Sequence, residues 1–246
     1  MKTISSRQNA LFKRVRRAID EHAEEIVIEG PKAIDDAIAN GWKPIAIIGR
    51  EGAPAPGRDG EIVVSAALFD SVALTVTSQG VIALFERPTF GDLFADRDRI
   101  IVALDGVQDP GNVGTIVRLA AAFDAGGVVL LPGTADAYSP KSIRASAGAI
   151  LTVPVASMTR DELLLGAVAP AGGASRWPIF ATDASGQAID PPSRGAVIVF
   201  GSEGEGVSHE IAERATKIAI PMSKRIESLN VASSAAILLA RSYALR

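Results

Sequence analysis

The feature that most constrains the fold of this chain is the alternation of short apolar runs with segments of helical periodicity. Uninterrupted apolar runs at 101–104, 128–131 and 196–200 are separated by longer stretches in which apolar residues recur every three or four positions. Alternation of strand-length and helix-length patterns is typical of α/β proteins. The 246 residues suffice for one large domain or two smaller ones. We therefore predict an α/β fold.

The pattern divides the chain into two series of elements. The first has predicted helices at 7–19 and 31–40, strands at 23–28, 45–48, 61–64 and 81–85, and a surface loop at 51–60. The second has predicted strands at 101–104, 128–131, 152–155, 178–181, 196–200 and 218–220, and helices at 112–123, 140–148, 209–214 and 228–243. The segment 86–99 is the best candidate for a linker, because it contains seven charged residues, Pro88 and Gly91. We predict domains at 1–86 and 99–246, joined by 87–98.

Composition excludes several classes of chemistry. The chain has no cysteine, which excludes a disulfide scaffold, a thiolate metal site and a catalytic thiol. With only His22 and His209, a histidine-built metal site or a Ser-His-Asp triad is not expected, and we predict no metal. The longest charge-free stretches, 71–85 and 145–159, are too short and too polar to span a membrane. No apolar signal follows the N-terminal charges, so we expect a cytoplasmic protein without a membrane partner.

Positive charge is concentrated at the N-terminus of an otherwise acidic chain. Six basic residues and no acid occur up to Arg17, whereas the remainder carries 19 basic and 28 acidic residues. Such a patch can steer a polyanion to one face of the protein. A solvated first helix explains the same charges without any partner, and both interpretations stay open at this point.

A polar loop follows the predicted strand 101–104 and leads into a helix. Asn112 is a good N-cap residue, and we predict that it begins this helix. Gly114 and Arg118 are i,i+4 neighbours, so Arg118 is expected to lie over the bare Gly114 turn and to point at the end of the strand. An arginine near a helix N-terminus suits a phosphate or ribose-phosphate ligand. The neighbouring residues are apolar, so this arginine is expected to need a partner.

Two further loops follow predicted strands. In the first, Phe200-Gly-Ser-Glu-Gly204, the glycine spacing fits neither a Walker loop nor the dinucleotide fingerprint, and its acids favour a cation or a hydroxyl over a pyrophosphate. A tight turn explains the glycines equally well. In the second, Ile220-Pro-Met is followed by Ser228-Leu-Asn230-Val, where Ser228 or Asn230 is expected to cap the last helix.

Together these segments resemble the three motifs of the SpoU/TrmH family, the RNA ribose 2′-O-methyltransferases of the SPOUT superfamily. The matching pieces are Asn112-x-Gly-x-x-x-Arg118, Phe200-Gly-Ser-Glu-Gly204, and Ile220-Pro-Met with Ser228-Leu-Asn230-Val, in the family's order and spacing. The segment from Ser139 to Ile150 is similar to the family's helix between its first two motifs.

The resemblance implies a SPOUT-type C-terminal sheet with a deep trefoil knot, an exception to the usual absence of knots. It implies a smaller α/β RNA-binding domain in front, and a homodimer. It implies S-adenosylmethionine as cofactor, bound by Gly201, Ile220 and Leu229, with Thr182 and Met222 as weaker candidates. A bare backbone at Gly201 is expected to let the adenosyl group approach.

By motif position, the resemblance also implies a set of catalytic residues, namely Asn112, Arg118, Glu203, Ser228 and Asn230. In the family view the arginine is the base. Because guanidinium stays protonated in proteins, we predict instead that Arg118 holds a phosphate and stabilises the developing alkoxide. The proton is expected to pass to that phosphate or to Glu203, while Asn112, Ser228 and Asn230 orient Arg118 and the ribose. The RNA-binding candidates are Arg7, Lys13, Arg14, Arg17, Lys141 and Arg144.

The predicted reaction is methyl transfer to a ribose 2′-hydroxyl in structured RNA, with ribosomal RNA favoured over transfer RNA by analogy of the N-terminal domain. Three alternatives remain at this stage. These are a tRNA 2′-O-methyltransferase, base methylation as in the tRNA guanine-N1 branch, whose signature differs, and a non-catalytic RNA-binding or assembly factor.

Overall fold

The structure is a computed structural model that describes residues 4–21, 25–53, 62–168, 177–223 and 225–246. The chain divides into two compact units, Met1–Pro88 with Tyr138–Pro140, and Thr89–Ala137 with Lys141–Arg246. The sequence did not foresee that Tyr138–Pro140 would group with the first unit. The functional boundary at 87–98 stays a prediction.

The first unit is a small mixed sheet with helices. Its elements are α1 (Ala10–Asp20), β1 (Glu25–Glu29), α2 (Pro31–Ala39), β2 (Pro44–Arg50), β3 (Ile62–Val64), α3 (Ala66–Asp70) and β4 (Val81–Glu86). The strand order is β1-β4-β2-β3, with β4 antiparallel to both its neighbours and β3 parallel to β2. Helix α1 is amphipathic, because Phe12, Val15 and Ala18 are buried while its basic residues face outward.

The second unit is built on a six-stranded parallel sheet. Its elements are β5 (Ile101–Asp105), α4 (Pro110–Ala122), β6 (Gly127–Leu130), α5 (Pro140–Ser146), a 3₁₀ turn (Ala149–Leu151), β7 (Val155–Ser157), α6 (Arg160–Val168), β8 (Ile179–Gln187), β9 (Val197–Gly201), α7 (His209–Ala212), β10 (Thr216–Ile218) and α8 (Val231–Ala244). The strand order is β10-β8-β9-β5-β6-β7. Every residue of β5 and β9 is buried, as expected for central parallel strands.

The topological switch point, where the strand order reverses, lies between β5 and β9 in this sheet. From β5 the chain builds outward to β6 and β7, and it then crosses to the other side of the sheet to form β8, β9 and β10. In open α/β sheets, ligands bind beyond the carboxyl ends of the strands at such a point. Within the described residues, no helix is both long enough and apolar enough to cross a membrane.

The structure confirms the α/β class and most predicted elements, and it corrects several bounds. Helices α3 and α6 were missed, because short helices with weak periodicity look like loops in the sequence. The strand predicted at 152–155 begins at Val155, because the 3₁₀ turn occupies the preceding residues. The strand predicted at 218–220 is Thr216–Ile218, the segment that pairs with β8. Ala23 and Glu61, which the sequence placed at strand starts, lie outside the described residues.

Gly114 allows a close contact between α4 and α5. A Cβ atom on Gly114 would lie 2.2 Å from the carbonyl oxygen of Ser142 and 2.7 Å from the Cβ of Ala145. Helix α5 therefore occupies the space over Gly114 in which Arg118 was expected, and that expectation was wrong. The glycine serves helix packing.

We predict that Gly114→Ala destabilises the protein, although Gly-to-Ala changes inside helices usually stabilise by about 1 kcal/mol. The added methyl group would overpack the contact with α5, and overpacking costs about 1–3 kcal/mol. Urea unfolding should show a lower free energy of unfolding for this variant. Gly204→Ala is the control, since a Cβ there meets nothing within 4 Å. A gain in stability for Gly114→Ala would contradict the packing argument.

Candidate active site

The loops after β5, β9 and β10 meet at one carboxylate. Asn112 Nδ2 donates a hydrogen bond of 2.8 Å to Glu203 Oε1. Asn230 Nδ2 donates to the same oxygen at 3.1 Å and lies 3.2 Å from Asn112 Oδ1. We call Asn112, Glu203 and Asn230 the amide–carboxylate junction. It brings together one residue from each of the three segments that the sequence singled out.

Helix α4 begins two residues earlier than predicted. Its N-cap is Asp109, whose Oδ1 accepts from the backbone N–H groups of Gly111 at 2.5 Å and Asn112 at 3.2 Å, and Pro110 is the first helical residue. Lys141 Nζ lies 2.9 Å from Asp109 Oδ2, and this contact, helped by the two N–H groups, holds the pKa of Asp109 below its usual value. Because Asp109 caps the helix, the side chain of Asn112 is available to Glu203.

The loop after β9 folds back on itself. Ser202 and Gly206 exchange two backbone hydrogen bonds of 3.0 Å. A Cβ atom on Gly201 would lie 2.0 Å from the carbonyl carbon of Gly206, and Gly206 has a φ of 72°. The loop itself therefore requires glycine at position 201, and the expectation that its bare backbone lets the adenosyl group approach stays a prediction. The fold-back presents Glu203 at the tip of the loop.

Asn230 both caps α8 and contacts the junction. Its Oδ1 accepts from the backbone N–H groups of Ala232 at 2.9 Å and Ser233 at 3.3 Å, while its Nδ2 reaches Glu203 and Asn112. Of the two predicted caps, Asn230 is the one observed. Ser228 lies in the preceding loop, and none of the described residues forms a hydrogen bond with its side chain.

A cavity of about 600 Å³ lies beneath these loops. Its walls include all five residues predicted to bind the cofactor, and also Glu203, Ser228 and Asn230; the five are Thr182, Gly201, Ile220, Met222 and Leu229. The volume is within the range of small-molecule sites. Apolar side chains such as Ile218 and Leu238 line one part of the cavity, and the carboxylates of Asp183, Glu203 and Glu205 line another. We call it the cofactor cavity.

A bulge in β8 forms one wall of the cofactor cavity. The register with β10 jumps from Ala181 to Gln187, so residues 182–186 leave the ladder. Asp183 holds the bulge together by accepting bonds from the Ser185 hydroxyl at 2.7 Å and N–H at 2.8 Å, and from Lys217 Nζ at 3.0 Å. The Ser185 hydroxyl, followed by the Lys217 ammonium and the Ser185 N–H, lowers the pKa of Asp183 to about 2.

Arg118 does not take part in the junction. It is exposed, and no residue in the described part of the chain hydrogen-bonds to it or pairs with its charge. It lies six residues after Asn112, roughly 120° away around the helix. The expectations that Arg118 needs a partner, and that Asn112, Ser228 and Asn230 orient it, therefore fail within the described part of the chain. The two amides orient Glu203.

A buried ion pair that the sequence did not predict lies beside the junction. Asp105, only 2% exposed, ends β5, and its Oδ1 accepts from Arg160 Nε at 3.0 Å and Nη2 at 2.8 Å. Its Oδ2 accepts from the backbone N–H of Ser208 at 2.8 Å, and Arg160 Nη2 also donates to the carbonyl of Pro132 at 3.2 Å. The charge of Asp105 at the end of an apolar strand was a sequence signal for such a pair. Its partner could not be predicted, because Arg160 lies at the start of α6, a helix that the sequence did not predict.

A second cavity of about 510 Å³ adjoins the first. We call it the outer cavity. It is lined by Asp105, Gln108, Asn112 and Arg160, and it shares Ser202, Glu203, Glu205 and Gly206 with the cofactor cavity. Among the described residues, no three acidic or histidine side chains come together as a metal site.

The predicted RNA-binding residues differ in their contacts. Arg14 bonds to Glu25 and Lys141 to Asp109, so both have intramolecular partners. Arg7, Lys13 and Arg17 are exposed, and no carboxylate in the described part of the chain pairs with them. Arg144, in α5, is also exposed.

A parallel sheet with a nucleoside-sized cavity and an amide–carboxylate junction at its carboxyl edge defines a protein of the SPOUT methyltransferase class. The chain belongs to the SpoU rRNA Methylase family, whose model matches residues 99–240. It is 35% identical to a 23S rRNA (adenosine(1067)-2′-O)-methyltransferase of Streptomyces laurentii, over 92% of this chain and 91% of that protein. It is 34% identical to a 23S rRNA (guanosine(2553)-2′-O)-methyltransferase of Bacillus subtilis, over 72% and 70%.

A solved structure has the same fold. An AdoMet-bound rRNA methyltransferase from Sinorhizobium meliloti superposes with a TM-score of 0.83 at 26% identity, covering 99% of this chain and 98% of that one. These similarities confirm the family resemblance that the three motifs indicated.

We predict that Asp183→Asn lowers stability at neutral pH, with an effect that fades in acid. The pKa of Asp183 is lowered in the folded state from an unfolded value of about 3.9 to about 2, so the ionised carboxylate stabilises the fold above pH 4. That contribution is lost as the pH falls towards 2. Urea unfolding at pH 7, 5, 4 and 3 should show the difference between wild type and variant shrinking below about pH 4. A difference that stays constant with pH would show that the effect is steric.

Proposed function

We propose that this protein transfers a methyl group from S-adenosylmethionine to a ribose 2′-hydroxyl in structured RNA, with ribosomal RNA as the substrate. The observation that carries the proposal is the amide–carboxylate junction at the wall of the cofactor cavity, in a chain of the SpoU rRNA methylase family. The two relatives named above are described as 23S rRNA 2′-O-methyltransferases, which favours ribosomal RNA.

The residues of the cofactor cavity fit S-adenosylmethionine. The apolar wall around Ile218, Leu229 and Leu238 suits an adenosyl group, and the carboxylates of Asp183 and Glu203 in the lining complement the sulfonium cation. We propose that Gly201, Ile220 and Leu229 bind it, with Thr182 and Met222 beside them. When bound, S-adenosylmethionine supplies an electrophilic methyl group on its sulfonium sulfur.

Glu203 is the proposed partner of the ribose hydroxyl. Both amides of the junction donate to Oε1, and no donor among the described residues reaches Oε2. Oε2 is therefore positioned to accept the proton of a 2′-hydroxyl as the new C–O bond forms. Asn112 and Asn230 hold the carboxylate in one orientation, and that preorganisation lowers the barrier to in-line attack. Ser228, at the same cavity wall, is proposed to contact the ribose.

Arg118 is proposed to act on the RNA backbone. It is an exposed guanidinium whose donors the described part of the chain leaves unused. A phosphate next to the target ribose would accept two parallel hydrogen bonds from it.

The outward face of α1 is proposed to bind RNA non-specifically. Lys13 and Arg17 are i,i+4 neighbours on this face, and with Arg7 they present three cations without carboxylate partners in the described chain. The contacts of Arg14 and Lys141 with Glu25 and Asp109 give these two a structural role beside any RNA contact.

We also propose the knot and the homodimer that the resemblance implies. After β10 the chain returns past the loop that carries Glu203, contacts it through Asn230, and then packs α8 on α4 and β9. This course supports a threaded C-terminus. Exposed apolar residues on or just after α8, namely Ile237, Tyr243 and Leu245, support a face that pairs with a second copy.

We predict that deleting the gene removes one 2′-O-methyl mark from one rRNA position, detected by mass spectrometry of total RNA. Adding purified protein and S-adenosylmethionine should restore the mark in vitro. Glu203→Gln should slow the transfer about 10²–10⁴-fold, as expected for loss of a general base. The control is Glu205→Gln, because Glu205 lines the same two cavities without contacting the junction amides.

The other outcomes identify other functions. Loss of a mark from tRNA instead would show that the substrate is transfer RNA. Loss of a base methyl mark would show that the reaction is base methylation. A fully active Glu203→Gln would remove Glu203 from proton transfer. A deletion phenotype that Arg118→Ala fully rescues would favour an assembly factor, and full turnover by Arg118→Lys would exclude a bidentate role.

We predict that Lys13→Gln/Arg17→Gln weakens binding of the substrate RNA and makes it less dependent on salt. Each lost phosphate contact should reduce the slope of log affinity against log salt by about 1, so the double variant should lose about 2. Filter binding between 50 and 300 mM salt measures this. Lys32→Gln/Lys43→Gln is the control, since it removes the same charge from exposed sites of the same unit. Equal slopes for the two variants would show that the outward face of α1 does not bind the RNA.

A further inference from the structure

The outer cavity has a built polar wall that the proposed reaction does not use. Arg160 is held by Asp105 and by the carbonyl of Pro132, through its Nε and Nη2 atoms only. The two N–H groups of Nη1 have no acceptor among the described residues, and the side chain is 28% exposed at the cavity wall. A guanidinium fixed on one side and open on the other is preorganised to donate hydrogen bonds to a ligand.

The charges of the outer cavity exclude a phosphate as that ligand. Asp105 neutralises Arg160, and Glu203 and Glu205 add two carboxylates to the wall without a cationic partner in the described chain. The net field is negative, so an anion is repelled. A neutral group with hydrogen-bond acceptors and donors on its edge, such as a nucleobase, suits this lining.

The position of the cavity fits a nucleobase joined to the reacting sugar. The base is attached to C1′, directly beside the C2′ carbon that carries the reacting hydroxyl. If the 2′-hydroxyl meets Glu203 Oε2, the base must lie within a few ångströms of that carboxylate. Glu203 lines both cavities, so a base in the outer cavity would lie next to a ligand in the cofactor cavity.

We propose that the outer cavity holds the nucleobase of the methylated nucleotide, extruded from its stack, and that Arg160 donates to an acceptor on the edge of that base. Enzymes that act on a single nucleotide within a folded nucleic acid commonly pay the unstacking cost in this way. Arg160 thereby selects the target base. This inference rests on the proposed function, because it assigns a site to the substrate of that reaction.

A photocrosslink tests where the base lies without any methyl transfer. Gln108, exposed at the rim of the outer cavity, is replaced by p-benzoylphenylalanine, and the protein is irradiated with total RNA from the deletion strain in the absence of cofactor. We expect one crosslinked nucleotide, located by primer extension, and it should be the one that carries the methyl mark. The same replacement at exposed Glu213, which lines neither cavity, is the control. Crosslinks scattered as in the control would overturn the proposal.

Base selection is tested with transcripts that carry each of the four bases at that nucleotide. Wild type should prefer one base by at least about tenfold in kcat/KM, since one good arginine–base contact discriminates by about 1–3 kcal/mol. Arg160→Lys keeps a cation beside buried Asp105 but loses the fork, and should bring the four transcripts within about threefold. Calorimetry should give both proteins the same Kd for S-adenosylmethionine.

A second variant covers the case in which Arg160→Lys does not fold. Asp105→Asn/Arg160→Gln removes both charges together, which avoids a buried unpaired carboxylate. Equal preference among the bases by wild type, or an unchanged preference in the variant that folds, would overturn the proposal. If wild type methylates no RNA, the proposed function fails, and the crosslink alone then decides whether a base enters the cavity.

Discussion

The burial of the parallel sheet on both faces determines where this protein can place its polar chemistry. Strands β5 and β9 are buried at every residue, and Asp105 is their only charged side chain. Charged and amide groups must therefore lie in the loops beyond the carboxyl ends of the strands. Because β5 and β9 are neighbours, loops that are distant in the sequence come together there.

The amide–carboxylate junction links the folding of the C-terminal helix to the formation of the site. The oxygen of Asn230 caps α8 while its nitrogen holds Glu203, so one side chain serves both. Glu203 in turn depends on the fold-back that Gly201 permits. The cofactor cavity is bounded by the same segments. The site is therefore complete only when the last helix is in place.

The sequence predicted the α/β class and the three loops because strand-length apolar runs and polar motifs are local signals. It also predicted that Asn112, Glu203 and Asn230 belong together, but only through the family resemblance. It could not predict contacts between distant segments. The roles of Gly114 and Gly201 depend on α5 and on Gly206, which no local pattern reveals. Arg160 was missed for the same reason, since its partner Asp105 lies 55 residues earlier.

The distribution of charge separates the parts of an RNA substrate. Carboxylates line both cavities and would repel an RNA phosphate, whereas Arg118 is exposed and unpaired within the described chain. The same charges would not repel a neutral base or a ribose hydroxyl, and they would attract the sulfonium cation proposed for the cofactor cavity. The acidic cavities and the cations left unpaired in the described chain therefore have complementary parts in the proposed binding of RNA. In the proposed function, the exposed cations would bind the RNA backbone at the surface, while the base and the ribose hydroxyl would enter the two cavities.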